Sequence, residues 1–260
     1  AGLGDINGDG YEDYAAGAPG LGNGVVYVFW GKPGATLPVV NLATFAATDG
    51  FRLTGVAAGD NLGESLGGAG DLNGDGYDDI FVMAPGNDTG GTDRGAAYVI
   101  WGRAGATRSD VNLATLATDF DTLNSAGFVI RASENSQRLG DAATLFQTNG
   151  QAIASGGDFN GDGVHDLVIG HRFSDAGGAD SGQAFVIFGK RGATRHAIKL
   201  DSLGADGFRI SGASAGWLLG QGVRFVGDTN GDGYDDVAIG AIWNDENSFQ
   251  AGKVYVLLGG

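Results

Sequence analysis

The sequence predicts an all-β repeat fold, and three observations carry that reading. An acidic, glycine-rich loop is spelled four times, as "GDINGDGYED", "GDLNGDGYDD", "GDFNGDGVHD" and "GDTNGDGYDD". Short apolar runs rich in β-branched and aromatic residues keep step with it, each ended by glycine, which is the signature of strands rather than helices. Glycine supplies 51 of 260 residues and proline only 4, with no strict triplet period, so tight turns are favoured and collagen is excluded.

The elements follow in order. The first Asp of each loop is Asp5, Asp71, Asp158 or Asp228, giving spacings of 66, 87 and 70 residues, the period of a supersecondary unit. After the loop comes one strand ("DDIFVMAP", "HDLVIGHR", "DDVAIGAI"), then a second ("VVYVFWG", "AAYVIWG", "QAFVIFG", "KVYVLLG"). A basic turn ("GKPGAT", "GRAGAT", "GKRGAT") leads to a third ("GFRLTG", "GFVIRA", "GFRISG"), and a glycine-rich strand such as "LGESLGGAG" or "LGQGVRFVG" precedes the next loop. About four short antiparallel strands per unit suggest the four-stranded blades of a β-propeller, whose radial packing buries both faces of each sheet. Helix is scarce, with "VNLATLAT" (Val111 to Thr118) as a candidate for a turn or two. The excess in the spacing of 87 falls in "TLATDFDTLNSAG" and "TLFQTNGQAIA", read as loop insertions. The chain reads as one region of four units, approximately 1–56, 57–132, 133–212 and 213–260.

Composition narrows the function. Lys and Arg number 15 against 31 Asp and Glu, a net charge of −16, which argues against nucleic acid as a partner and makes cations the expected ligands. No apolar run is long enough to insert in a membrane. The absence of cysteine removes disulfides and thiolate metal sites.

Each loop offers side-chain oxygens at positions 1, 3, 5 and 9 and a backbone carbonyl at position 7. The candidate ligands are Asp5, Asn7, Asp9, Tyr11 and Asp13; Asp71, Asn73, Asp75, Tyr77 and Asp79; Asp158, Asn160, Asp162, Val164 and Asp166; and Asp228, Asn230, Asp232, Tyr234 and Asp236. Calcium takes about six to eight oxygens at roughly 2.3–2.6 Å in a forgiving geometry, whereas magnesium prefers fewer protein ligands and retained waters. The glycine at position 6 allows the turn. Position 12, where an EF-hand carries its bidentate Glu, is Ala16, Val82, Ile169 or Ile239, so the position-9 Asp is expected to close the coordination instead. Asn-Gly-Asp-Gly alone is also a turn signal. Four copies, each gathering three carboxylates that repel one another without a cation, favour about four calcium ions per chain.

The loop, the "AAGAPG" and "VMAPGN" segments after it and the preceding "LGESLGGAG" resemble the FG-GAP repeat of the integrin α-subunit propeller and of many secreted bacterial proteins. The resemblance covers essentially the whole chain. It implies loops joining two strands of a blade, calcium on the propeller underside, ligands on the opposite face and an extracellular or cell-surface location. "GHRFSD" and "GAIWND" depart from the Gly-Ala-Pro segment, and position 8 is His165 where the other loops have Glu12, Asp78 and Asp235.

Other motifs carry less. "GESLG" at Ser65 and "GASAG" at Ser214 lack the strand-turn-helix context of a hydrolase elbow, so no catalytic residue is expected. His165, His171 and His196 read as surface or strand-edge residues, and Lys32, Arg103, Lys190 and Arg191 as solvated turns. Trp30 and Trp101 share one strand position, which favours packing; Trp217 and Trp243 stay candidates for ligand contact. The sequon Asn87-Asp88-Thr89 stands alone, and no Arg-Gly-Asp occurs. The expected function is an extracellular calcium-binding module that recognises a protein or glycan ligand. The alternatives are a self-associating building block of a surface layer or fibre, and an accessory domain of a secreted enzyme. Because "AGLG" is short for an opening strand and nothing like "GFRxxG" follows "KVYVLLG", the segment is also expected to belong to a longer array or to borrow strands from a neighbour.

Overall fold

The computed structural model describes residues 1–34, 39–105, 107–117, 126–132, 138–139, 153–192, 195–246, 248 and 250–260. The strands, in chain order, begin with β1 (Gly2–Gly4), β2 (Asp13–Ala18), β3 (Val25–Phe29), β4 (Gly50–Thr54), β5 (Leu66–Gly70) and β6 (Asp79–Ala84). They continue with β7 (Ala96–Ile100), β8 (Val111–Asn112), β9 (Gly127–Arg131), β10 (Ile153–Gly157), β11 (Asp166–His171) and β12 (Gln183–Ile187). The last are β13 (Ile198–Lys199), β14 (Gly207–Ser211), β15 (Leu219–Gly227), β16 (Asp236–Ala241) and β17 (Lys253–Leu257).

These strands form four antiparallel sheets. Sheet I runs β1-β2-β3-β4, sheet II β5-β6-β7-β9 and sheet III β10-β11-β12-β14, while sheet IV has three strands, β15-β16-β17. Sheets I and II each gain a short parallel outer strand from the following unit: β8 joins β4 and β13 joins β9. "AGLG" does make an opening strand, with Gly2 opposite Tyr14, so the first unit is not short of its inner edge. "VNLATLAT" divides into β8 and a single helical turn, α1 (Ala114–Ala117).

Neighbouring sheets share three apolar cores, and in sheets II and III the period-two pattern of a strand feeds two of them. In β6, Ile80, Val82 and Ala84 face sheet I while Phe81 and Met83 face sheet III, and every residue of that strand is buried. β11 divides likewise: Leu167 and Ile169 point toward sheet II, Val168 toward sheet IV. A sheet covered on both faces reads as a near-continuous apolar run, which explains why "DDIFVMAP" and "HDLVIGHR" do not alternate.

Each innermost strand ends in a register shift just before an acidic loop: at Gly2/Gly4, Gly68/Gly70, Ser155/Gly157 and Phe225/Gly227. Gly4, Gly70 and Gly227 hold φ of 82°, 63° and 74°, and in the third unit Gly156 holds 91°. Only glycine takes such angles without strain, and the bulge aims the chain into the loop.

Candidate functional site

The four acidic loops fold alike because each first Asp is wrapped by the amides of its own loop. Asp5 Oδ1 accepts from Gly8 N at 2.8 Å and Asp9 N at 3.0 Å, and its Oδ2 accepts from Gly10 N at 2.9 Å. Asp71, Asp158 and Asp228 receive the corresponding amides of Asp75 and Gly76, Asp162 and Gly163, and Asp232 and Gly233. Asn7 Oδ1 accepts from Asp9 N at 2.9 Å while its Nδ2 donates to Asp9 Oδ2 at 3.1 Å, and Asn73, Asn160 and Asn230 repeat both bonds. The position-5 carboxylates accept from the amides of Tyr11, Tyr77, Val164 and Tyr234. Positions 1, 3, 5 and 7 are thus gathered within one turn.

The position-9 carboxylate has a second task. Asp79 accepts from Leu72 N at 2.9 Å and from Gly102 N at 2.8 Å, clamping the loop to the end of β7. Asp13 does the same with Ile6 and Gly31, Asp166 with Phe159 and Gly189, and Asp236 with Thr229 and Gly259. Among the described residues no three acidic or histidine side chains already form a cluster that could hold a metal ion. The oxygens are on one loop but are turned to its amides, Asp5 Oδ1 accepting two of them and Asp5 Oδ2 one.

Burial acts unequally on these carboxylates. It pushes Asp79 up to about 8, against two backbone amides that lower it, with Asp75 and Asp71 adding repulsion. Asp13 and Asp166 rise to about 6 for the same reason, each facing two acids of its own loop. Asp236 is held below the usual carboxylate range, first by the Thr229 hydroxyl and then by the Gly259 amide. Its own atoms are shut off from water, but among the described residues no sheet covers the far side of sheet IV, and burial raises it less than these two bonds lower it.

Position 8 proves to be the joint between sheets, a role nothing in the local sequence shows. Asp5 N donates to Asp78 Oδ2 at 2.9 Å, Asp71 N to His165 Nδ1 at 3.0 Å and Asp158 N to Asp235 Oδ2 at 2.9 Å. The reverse bonds run from Asp78 N to Asp5 O, His165 N to Asp71 O and Asp235 N to Asp158 O. A third bond per joint comes from the residues just past the third strand of the following sheet, where Arg103 N, Lys190 N and Gly260 N donate to Ile6 O, Leu72 O and Phe159 O. The only available sequence signal was that position 8 is always polar.

Two expectations change. His171 is buried, 3% exposed, on β11 beside Phe185, because that face of sheet III is covered by sheet II. Trp217 is 7% exposed with Nε1 donating to Asp245 Oδ1 at 3.1 Å, so it packs rather than waits for a ligand. Trp243 stays at the surface, His196 is exposed, and Trp30 and Trp101 are buried at their shared position. Ser65 runs into β5 rather than a helix, and Ser214 lies in a turn.

The FG-GAP repeat model matches residues 62–100, 149–187 and 225–257. The chain carries three FG-GAP repeats. Its first unit carries the same loop although the matched segments begin at residue 62. Among curated FG-GAP-like relatives, Integrin alpha-PS5 of Drosophila melanogaster is 30% identical over 70% of this chain and 15% of its own length. Integrin alpha-6 of Gallus gallus is 30% identical over 52% of this chain and 12% of its own. Phosphatidylinositol-glycan-specific phospholipase D of Bos taurus is 29% identical over 73% of this chain and 20% of its own. The chain therefore spans between 12% and 20% of the length of these relatives.

Proposed function

We propose that this FG-GAP chain is a calcium-binding propeller module that presents a recognition surface for a protein or glycan ligand outside the cell. The observation that carries the reading is the fourfold recurrence of one loop geometry, in which a first Asp, an Asn and a second Asp share a single turn above a buried third Asp. The donor set fits a hard divalent cation: oxygen only, three carboxylates, and glycines that let the turn close. Asp5, Asn7, Asp9, the Tyr11 carbonyl and Asp13 would hold one ion, with the equivalent residues of the other loops holding about three more. Bound calcium would cross-link the loop's carboxylates and offset the burial, and the lesser mutual repulsion, that now raise Asp79, Asp13 and Asp166. The loops lie at one end of the sheets, between first and second strands, which leaves the β2–β3 and β6–β7 turns at the opposite end for ligand contact. The integrin relatives support the extracellular, adhesive part of the reading.

Calorimetric titration of chelator-treated protein tests it. About four sites are expected, selective for calcium over magnesium, with dissociation constants around 10⁻⁴–10⁻³ M or tighter, as for extracellular modules. At free calcium about 100 times Kd each occupied loop adds roughly 2.7 kcal/mol of stability. An absence of binding, or one site only, overturns the calcium reading. The phospholipase D relative favours a second reading, a non-catalytic module carried beside a catalytic domain, which leaves the calcium expectation unchanged.

A further inference from the structure

Sheet II differs from sheets I and III in one feature of charge. Three positions around its outer end carry cations: Arg94, just before the glycine that precedes β7, Arg131 at the end of β9 and Lys199 at the end of β13. The corresponding residues of sheet I are Asn23, Thr54 and Asn112, and sheet III has Ser181 and Ser211 in place of the first two. Strand pairing makes them equivalent, since Arg131 stands opposite Ala96 and beside Lys199 as Thr54 stands opposite Val25 and beside Asn112. Sheets of the same design thus form with small neutral residues at these places. The fold itself does not call for three positive charges.

The three cations line one cavity of about 260 Å³ together with Thr89, Gly90 and Asp201. It lies at the β6–β7 turn, the end of the sheet away from the acidic loops. Arg131 is 5% exposed, and its Nη1 donates to Asn87 Oδ1 at 3.4 Å while Asn87 Nδ2 donates to Asp60 Oδ2 at 2.7 Å. Burying a guanidinium costs desolvation, and Asp60 answers for one positive charge where the cavity gathers three. Arg94 lies against the turn because residue 90 is glycine: φ is 89°, and a Cβ there would stand 3.2 Å from Arg94 Nη1. Lys199 and Asp201 are exposed, and the Asp201 carboxylate accepts from Ser202 Oγ at 3.2 Å. In a chain with 15 basic against 31 acidic residues, this cavity is a local reversal of sign.

We propose that this cavity binds a hexuronic acid unit of an acidic glycan, with the carboxylate held by Arg94, Arg131 and Lys199 and the ring hydroxyls by Thr89, Asp201 and the Gly90 backbone. The inference rests on the recognition reading above and names the chemistry of the ligand. Planar guanidinium forks suit a carboxylate. The volume, just under the roughly 300–1,000 Å³ of drug-sized sites, suits one sugar ring rather than an extended chain. Asp201 disfavours phosphate or sulfate, whose outer oxygens all share the negative charge, and accepts instead from a hydroxyl. An acidic side chain of a protein would bring the carboxylate but no hydroxyls for Thr89 and Asp201.

Calorimetric titration of the whole chain with trimers of glucuronic, galacturonic and mannuronic acid tests it, against an uncharged galactose trimer, inorganic phosphate and a glutamate-rich peptide. At least one uronate trimer is expected to bind, and the three comparison probes to bind roughly tenfold more weakly or not at all. Arg94→Asn with Lys199→Asn installs the residues that sheet I carries at these places. That variant is expected to lose roughly tenfold or more in uronate affinity, as for charge-assisted hydrogen bonds, while its calcium titration stays as in the wild type. If the variant folds poorly, amide NMR shifts of the wild-type chain locate the trimer, with changes expected at Gly90 and Leu200. Absence of uronate binding, tighter binding of phosphate or the peptide, affinity that the folded variant retains, or shifts confined to other sheets each overturns the proposal. A glycan or protein bound at another site leaves the recognition reading standing, whereas a failed calcium titration counts against that reading and not against this cavity.

Discussion

The second and fourth units carry nearly the same loop, "GDLNGDGYDD" against "GDTNGDGYDD", and nearly the same geometry, yet they differ in almost every energetic respect. Sheet II is buried on both faces, whereas β17 of sheet IV alternates between half-buried and exposed residues. Asp79 is pushed up to about 8 while Asp236 is held below the ordinary range. The carboxylates accept equivalent amide bonds, so the difference comes first from the Thr229 hydroxyl on Asp236, which has no counterpart at Leu72, and then from what stands beyond the sheet. A neighbouring sheet turns a strand into core and a loop Asp into a buried acid.

The largest expected test of this contrast is a paired truncation at one structural position. Val99→Ala in β7 removes fully buried methyl groups and is expected to cost roughly 1.5–3 kcal/mol. Val256→Ala, at the same place in β17, is expected to stay within about 0.5 kcal/mol in the isolated chain. Denaturant unfolding of both variants checks this, and equal losses would mean that sheet IV is covered in solution.

A second pair concerns the clamp. Asp79→Ala leaves the Leu72 and Gly102 amides buried without acceptors, an expected loss of about 1–3 kcal/mol. Asp236→Ala frees the amides of Thr229 and Gly259, the former next to open solvent, and a smaller loss is expected. The two melting curves, recorded in chelator, rank them; the reverse order would contradict the burial contrast.

A third contrast is a pH slope. Asp79, Asp13 and Asp166 are raised from an ordinary 3.8 to about 8, 6 and 6, so in the absence of cation the folded state holds protons more tightly than the unfolded chain. Their contribution is fully present below about pH 4 and is lost as pH climbs through the folded values. Asp236, shifted downward, runs oppositely: its share is present above its ordinary value and fades as acid is added through the lowered one. The chelated protein should therefore melt progressively lower from about pH 5 to pH 8, and Asp79→Asn should flatten the upper part of that slope. With calcium added, which competes with protons for the same oxygens, the slope should invert. A flat profile in chelator would remove burial as the cause.

Much was legible in the residues because it is local. Strand positions follow from β-branched and aromatic runs ended by glycine, and loop geometry from Asp and Asn accepting amides two to five residues ahead, as Asp5 does from Gly8 to Gly10. The burial of Trp30 and Trp101 followed from their shared position in the repeat. The departures all involve partners far along the chain. His171 and Trp217 read as polar or free until sheet II and Asp245 cover them, and position 8 reads as a loop acid until Asp78 and His165 are seen bonding another loop.

The sequence by itself determined the repeat, the strands, the acidic loops and their glycine turns, since each depends on backbone preferences and hydrogen bonds within a few residues. Only the tertiary structure decided which faces are closed, which position-9 acid is forced up, and which loops position 8 joins. Desolvation and interdigitated packing are set by atoms from other sheets, and no window of the sequence contains both sides of such a contact.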